Sequence, residues 1–286
     1  MKVAGGGKGR KPVAFLRRER TKRRRALAPV DYHIHTAFSA DSEMEPLALC
    51  ERAVALGYGE TGFAEHVDFF PGDRGIGYFD ARAYGKAVAE MQARFAGRLT
   101  IRKGVEVDFQ ERCLDDIARF LSGEEFDFVI GAVHWLDGCF IDEAGLTARP
   151  LEEAYRIYER ETRALVGAGM FDILGHLDYI RRRAVGHYDP ARVEAFAPMM
   201  AHLAAEAARA GLLLEVNVQR GRLPLPTVES LRAYLGAGGQ GVTVGTDSHS
   251  LEQFAGGWER TRAYLEEAGV REVTLFRGRR RRVVAL

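Results

Sequence analysis

Histidine, aspartate and glutamate residues of this chain recur at spacings that suit metal binding. The segment Asp31-Tyr32-His33-Ile34-His35-Thr36 places two histidines two residues apart. Side chains two apart on an extended strand point to the same face, so His33 and His35 can bind one cation together. Neutral imidazole is a ligand for zinc, iron and manganese. The pair alone is weak evidence, because core and solvated histidines produce the same spacing.

Further residues of these types lie where short apolar segments end. We predict strands that end near His35, His66, Glu106, His134, His176, Asn217 and Asp247. The carboxyl ends of parallel barrel strands meet on one face, so these donors should converge. The predicted metal ligands are His33, His35, Asp41, His66, Glu106, His134, His176, Asp247 and His249. So many donors suit two or three ions that share a bridging carboxylate. His187 and His202 fall outside this pattern and are expected to be structural.

Amphipathic helical segments alternate with the predicted strands. One helical face is predicted after a cap at Asp80, and another after Asp189-Pro190. The first face is formed by Tyr84, Val88, Met91 and Phe95, and the second by Phe196, Met200 and Leu203. Gly57 and Gly211 are predicted to end helices in a left-handed conformation. Seven repeated βα units favour an α/β fold with a parallel sheet closed into a barrel.

Charge and composition divide the 286 residues unevenly. Residues 1–30 hold 11 of the 41 Lys and Arg and one of the 40 Asp and Glu, which leaves 30 basic against 39 acidic residues in the rest. We predict a disordered basic leader over residues 1–28 and one barrel domain over 29–286. Three cysteines without a Cys-x-x-Cys spacing indicate a reduced, cytoplasmic protein. We expect neither a membrane span nor a secretory signal.

Six short motifs along the chain contain all the predicted metal ligands except Asp41. They are Asp31-Tyr32-His33-Ile34-His35-Thr36, Glu65-His66, Gly104-Val105-Glu106-Val107-Asp108, Val129-Ile130-Gly131-Ala132-Val133-His134, Gly175-His176-Leu177-Asp178 and Gly245-Thr246-Asp247-Ser248-His249. Together they resemble the polymerase and histidinol phosphatase (PHP) superfamily over nearly all of residues 30–286, and within it the monofunctional histidinol-phosphate phosphatases. The resemblance implies a distorted (β/α)7 TIM-like barrel with a trinuclear site of zinc, iron or manganese at the C-terminal ends of the strands.

The same resemblance implies how the donors divide among three ions. It assigns His33, His35, Glu106 and Asp247 to the first ion, Asp41, His66 and His249 to the second, and Glu106, His134 and His176 to the third. Many members of the superfamily have histidine at the position of Asp41, so the second ion is where this chain departs from the pattern. The basic leader has no counterpart in the family.

The expected reaction is hydrolysis of L-histidinol phosphate to L-histidinol and phosphate. Clustered divalent ions would activate water and neutralise the phosphoryl group, so no nucleophilic side chain is needed. From the resemblance we expect Arg181 and Arg222 to bind the phosphate, with the neighbouring arginines as surface charge. Asp247 and His249 are candidate proton donors. Glu65 and Asp178 are candidates to orient a histidine or meet the substrate amine.

Two other functions remain open from the sequence. A PHP-type nuclease or phosphodiesterase would use the same metals, and the basic leader favours it. The absence of a polymerase domain and the match in the Phe128–Trp135 segment oppose it. A non-catalytic protein that binds nucleic acid through the leader would leave the histidines structural. We expect a small phosphate ester as the partner, and the oligomeric state is not predicted.

Overall fold

The computed structural model describes residues 27–254 and 257–286. Most of the predicted leader, residues 1–26, and its predicted disorder lie outside the described residues. The strands are β1 (Val30–Ile34), β2 (Glu60–Val67), β3 (Thr100–Asp108), β4 (Phe128–Ala132), β5 (Trp135–Leu136), β6 (Cys139–Phe140), β7 (Ile173–Leu174), β8 (Leu213–Asn217), β9 (Thr243–Gly245), β10 (Glu272–Arg277) and β11 (Arg280–Ala285).

Seven parallel strands form the central sheet in the order β1-β2-β3-β4-β7-β8-β9. Two backbone hydrogen bonds join its first and last strands: the amide of Asp247 donates to the His33 carbonyl at 2.8 Å, and that of His35 to Ser248 at 2.9 Å. The sheet is therefore almost closed into a barrel, and the predicted fold class is confirmed. Each of the seven predicted strand ends lies within two residues of an observed one.

Helices connect the strands and cover the outside of the sheet. They are α1 (Pro46–Ala55), α2 (Ala81–Arg94), α3 (Leu114–Gly123), α4 (Glu143–Thr147), α5 (Leu151–Ala168), α6 (Tyr179–Ala184), α7 (Pro190–Glu194), α8 (Ala197–Arg209), α9 (Val228–Gly236) and α10 (Trp258–Ala268), with a 3-10 turn at Glu111–Cys113. None of the helices in the described ranges combines the length and apolar character needed to cross a bilayer.

The helix signals in the sequence are largely confirmed. The Asp80 side chain accepts hydrogen bonds from the first amides of α2, and Tyr84 and Val88 on that helix are buried. Gly57 and Gly211 have φ values of +77° and +75° after α1 and α8. Met200 and Leu203 of the second predicted face are buried on α8, but that helix begins at Ala197, and Asp189 caps the separate short helix α7.

Aromatic side chains pack against the sheet below the strand ends. Gly104 lies two residues before Glu106 on β3 and therefore faces the same side. A Cβ at Gly104 would lie 2.1 Å from the ring of Phe128, so the absence of a side chain makes room for that ring. Tyr32 meets Phe128 edge to face at 5.0 Å, and its hydroxyl accepts from the amide of Phe276 on β10. The hairpin β10-β11 thereby packs against the barrel.

Candidate metal centre

Strand β1 supplies the first two donors of the predicted cluster. His33 and His35 are fully buried, and their Nε2 atoms lie 3.0 Å apart. Asp247 follows β9, and its Oδ1 lies 3.3 Å from Nε2 of His35 and 3.7 Å from Nε2 of His33. The bonds that close the barrel between β1 and β9 bring these residues together. Their donor atoms are near enough to one another to hold one ion.

Glu106 lies between histidines from several strands. Its Oε2 is 3.1 Å from Nδ1 of His66 and 3.2 Å from Nε2 of His33. Its Oε1 is 2.8 Å from Nε2 of His176. The parallel register of β2 and β3 pairs His66 with Glu106 directly, which places both at the same height in the barrel. One buried carboxylate therefore reaches three imidazoles.

The outer part of the cluster is the most accessible. Asp41, whose side chain is 58% exposed, places Oδ2 3.1 Å from Nε2 of His249 and 3.6 Å from Nε2 of His66. The ring of His35 stacks between those of His66 and His249, with centroid distances of 4.1 and 4.2 Å. These three histidines form a second group with metal-binding spacing. The predicted donor Asp41 lies at its rim.

His134 and His176 complete the set. They follow the adjacent strands β4 and β7, and their Nε2 atoms lie 3.2 Å apart. His134 is 3.9 Å from Oε1 of Glu106, and His33, Glu106 and His176 form a third group of donors. All nine predicted ligands thus lie in one continuous cluster. The histidines predicted to be structural lie elsewhere, and His202 pairs with Glu206 on α8.

Hydrogen bonds behind the rings decide which nitrogens face the cluster. Nδ1 of His33 lies 2.8 Å from Oε1 of Glu215, and Nδ1 of His134 lies 3.2 Å from Oδ1 of Asp108. An ionised carboxylate only accepts hydrogen bonds, so both Nδ1 atoms carry the proton. Once these rings are neutral, their Nε2 atoms present lone pairs to the cluster, which is the arrangement that metal-binding histidines adopt.

His35 is oriented in the same way through a hydroxyl. Its Nδ1 lies 3.1 Å from Oγ of Ser39, and that hydroxyl donates to Glu65 at 2.7 Å. Glu65 also accepts from the amide and hydroxyl of Thr36. Because the Ser39 proton is given to Glu65, Ser39 accepts from Nδ1 of His35. Glu65 thus orients a histidine indirectly, one of the two roles expected for it.

The resulting donor set fits divalent cations. Nε2 of His33 and Nε2 of His35 face each other across 3.0 Å, and a cation bound between them would take the place of the proton that they share. Oε2 of Glu106 is buried and makes no well-directed hydrogen bond, although Nδ1 of His66 and Nε2 of His33 lie 3.1 and 3.2 Å away. A bound cation would stabilise a buried carboxylate oxygen in this position.

The charges in the cluster keep its central carboxylates ionised. Burial by itself would raise the pKa of Glu106, but His33 and the other surrounding histidines hold it well below the usual range. Burial would raise the pKa of Asp247 too, but the hydrogen bond with His35 and the charges of His33 and His249 together lower it. Both cluster carboxylates, Glu106 and Asp247, are therefore available as metal ligands. Behind β1, by contrast, burial raises the pKa of Asp31 to about 7 despite hydrogen bonds from Thr246 and His33.

The arginines are arranged differently from the prediction. The structure does not bring Arg181 to the cluster, because its guanidinium pairs with Glu194 at 2.5 Å. The arginine at the cluster is Arg182, whose side chain is 3% exposed and whose Nη1 lies 3.9 Å from Oδ2 of Asp247. Consecutive residues on α6 point in different directions, and the sequence does not reveal which one faces the barrel. Arg222 is exposed. Burial lowers the pKa of Arg182, and the charge of Arg222 adds a small contribution in the same direction.

Residues behind the ligands were missed in the sequence. Glu215 and Asn217 on β8 are buried, and Glu215 accepts from both His33 and the amide of His176. The signal was an acidic residue inside the apolar segment 212–218. Asp178, the other acidic candidate, is buried with an unpartnered Oδ1, and burial raises its pKa well above the usual range.

Comparison with known proteins agrees with this geometry. A family model described as PHP domain matches residues 31–219, well over half of the chain and all the predicted ligands except Asp247 and His249. The chain belongs to the PHP domain family. A histidinol-phosphatase of Lactococcus lactis is 30% identical to this PHP chain over 262 residues, which cover 87% of the chain and 94% of the relative. A probable histidinol-phosphatase of Deinococcus radiodurans is 29% identical, over 87% and 97% of the two chains.

Solved structures resemble this PHP chain as well. The histidinol phosphate phosphatase of Lactococcus lactis, in complex with zinc, L-histidinol and phosphate, superimposes with a TM-score of 0.77 at 27% identity. The match covers 90% of this chain and 100% of that one. A putative histidinol phosphatase from Listeria monocytogenes has a TM-score of 0.67 at 17% identity, which supports the fold alone.

Proposed function

We propose that this PHP protein is a metal-dependent phosphomonoesterase that hydrolyses L-histidinol phosphate to L-histidinol and phosphate. The observation that carries the proposal is a largely buried cluster of nine metal-type donors, with the buried Arg182 at its edge. The chain also matches a Lactococcus lactis histidinol-phosphatase over 94% of that relative. A structure of that organism's enzyme holds zinc, L-histidinol and phosphate, which supports the same substrate here.

The cluster suits two or three divalent ions, which we propose to be zinc, iron or manganese. We assign the ligands in the three sets that the family resemblance implies, with Glu106 shared between two ions. The short distances from Glu106 to His33, His66 and His176 support a bridging role. Bound ions would supply the Lewis acidity that activates water and neutralises charge on the phosphoryl group.

Arg182 is the residue we propose to orient the phosphoryl group. Its buried Nη1 has no hydrogen-bond partner and lies on the side of Asp247. Arginine stays protonated in proteins and its planar head suits bidentate contact with phosphate oxygens. We therefore assign to Arg182 the role expected for Arg181. We propose the exposed Arg222, whose charge acts on Arg182, as a second cation for the phosphate.

The leaving alkoxide needs a proton, and two candidates remain from the sequence. Asp247 faces His35 on one side and Arg182 on the other. His249 lies nearer the solvent, with Nε2 facing Asp41. Because Asp247 is held ionised, it would first take up the proton that the attacking water loses and then pass it to the alkoxide. His249 could donate a ring proton directly.

A substrate panel separates this function from the nuclease alternative. The metal-loaded protein should hydrolyse phosphomonoesters and leave phosphodiesters and single-stranded DNA intact. Faster cleavage of diesters would support the nuclease instead.

We also propose a reducing, cytoplasmic setting, which the three free cysteines Cys50, Cys113 and Cys139 support.

A further inference from the structure

Asn217 connects the metal cluster to the arginine beside it. This fully buried residue ends β8. Its Nδ2 donates to Oε1 of Glu215 at 2.9 Å, and its Oδ1 accepts from Nη2 of Arg182 at 2.8 Å. A carboxylate only accepts and a guanidinium only donates, so the two partners permit one orientation of the amide.

Glu215 is itself held in a single position. Its Oε1 accepts from Nδ1 of His33 at 2.8 Å, and its Oε2 accepts from the amide of His176 at 2.7 Å. A Cβ at Gly245 would lie 2.1 Å from Oε1, so the carboxylate packs directly against the backbone of β9. Glu215 therefore offers Asn217 a fixed acceptor.

At the Arg182 end of the connection, one guanidinium nitrogen has no hydrogen-bond partner. Nε and Nη2 of Arg182 both donate to the carbonyl of Leu223, at 3.2 and 3.0 Å. Nη2 also donates to Asn217, so its hydrogen-bonding capacity is used. Nη1 is the buried group without a partner, on the side of Asp247. Such a group is available to an anion at the metal cluster.

We propose that Asn217 is a positioning residue for Arg182, with its amide orientation set by Glu215. The connection from His33 through Glu215 and Asn217 fixes the phosphate-binding guanidinium relative to a metal ligand. This inference rests on the proposed function only in taking phosphate as the anion. Asn217 contacts no reacting atom itself and acts through Arg182.

A double-mutant cycle tests the connection. Inorganic phosphate is titrated calorimetrically into metal-loaded wild type, Asn217→Ala, Arg182→Ala and the double variant. Each single substitution should weaken phosphate binding by about 10-fold or more, as expected for loss or misplacement of a charged hydrogen bond. If Asn217 acts through Arg182, the double variant should bind phosphate no more weakly than Arg182→Ala alone.

Thr243→Val provides a matched control. Thr243 is buried on β9, is paired in register with Glu215, and has a hydroxyl without a partner. The control should keep wild-type phosphate binding, and elemental analysis should find the same metal content in every variant. Asn217→Ser, too short to reach both partners, repeats the test if Asn217→Ala does not fold.

Three outcomes would overturn the inference. The first is wild-type phosphate affinity in Asn217→Ala. The second is a double variant that binds phosphate more weakly than Arg182→Ala by the full effect of Asn217→Ala. The third is a wild-type protein that binds no phosphate. The proposed function fails separately, through the substrate panel. A protein that releases no phosphate from L-histidinol phosphate but shows the predicted cycle would retain the role of Asn217.

Discussion

His33 and His35 direct their Nε2 atoms at each other across 3.0 Å at the end of β1. The acceptors behind the rings, Glu215 and Ser39, hold the protons on the opposite nitrogens. Although burial opposes it, Glu106 and Glu215 hold the pKa of His33 well above its usual value, so a cation that binds between the two rings must displace a proton. Metal binding and folding of this part of the barrel should be coupled.

Removal of the metal should destabilise the protein. A ligand at 100 times its dissociation constant adds about 2.7 kcal/mol to the free energy of unfolding, which corresponds to roughly 5–10 °C in melting temperature for a domain of this size. Thermal denaturation before and after chelation measures this difference. Adding back zinc, iron or manganese should restore it, and an unchanged melting temperature in fully demetallated protein would argue against the coupling.

Substitution of the shared carboxylate should remove two ions together. Glu106 contacts histidines from three strands, so Glu106→Ala deprives two of the proposed ion sites of a ligand. Elemental analysis should show a loss of two equivalents, and activity should fall by at least about 100-fold. His202→Ala, on the exposed face of α8, should keep the full metal content. Loss of a single equivalent in Glu106→Ala would contradict the bridge.

Substitution of Arg182 and substitution of Arg181, neighbours on α6, should have very different effects on KM. Arg182→Ala removes the buried cation beside Asp247 and should raise KM for the phosphate ester by about 10-fold to 100-fold. Arg181→Ala breaks only the ion pair with Glu194 and should change KM less than about 2-fold. Steady-state kinetics of both variants measure this difference in KM. A larger KM effect from Arg181→Ala would return the phosphate role to Arg181.

The packing below the cluster should be sensitive to one added methyl group. A Cβ at Gly104 would lie 2.1 Å from Phe128, so Gly104→Ala should cost about 1–3 kcal/mol of stability. Gly167, near the end of α5, has open space around it, and Gly167→Ala should stabilise by about 0.5–1 kcal/mol. Urea denaturation compares the two, and a neutral Gly104→Ala would mean that Phe128 can move aside.

Much of the fold and the cluster could be predicted from the sequence, because both depend on local patterns. Apolar strand segments alternate with amphipathic helices, and metal-type residues such as His33, Glu106 and His176 fall at strand ends. In a parallel barrel those ends meet, so the position along each strand was enough to predict that the donors converge.

The residues missed in the sequence depend on contacts between distant segments. Asn217 acquires its role only when α6 places Arg182 against β8. Within the run Arg181-Arg182-Arg183 the residue types are identical, and the direction of each side chain follows from how the short helix α6 packs. The break between α7 and α8, in contrast, has a local signal in Pro198, which lies in the first turn of α8 and has no amide hydrogen with which to continue the preceding helix.

The most direct measurement of the central claim is phosphate release from L-histidinol phosphate by the purified, metal-loaded protein. We predict that kcat/KM for this ester exceeds that for other monoesters by at least about 100-fold, because the site must recognise the histidinol group as well as the phosphate. Activity should be lost on chelation and restored by a divalent metal. Protein with its metals bound that hydrolyses other esters but releases no phosphate from L-histidinol phosphate would contradict the account.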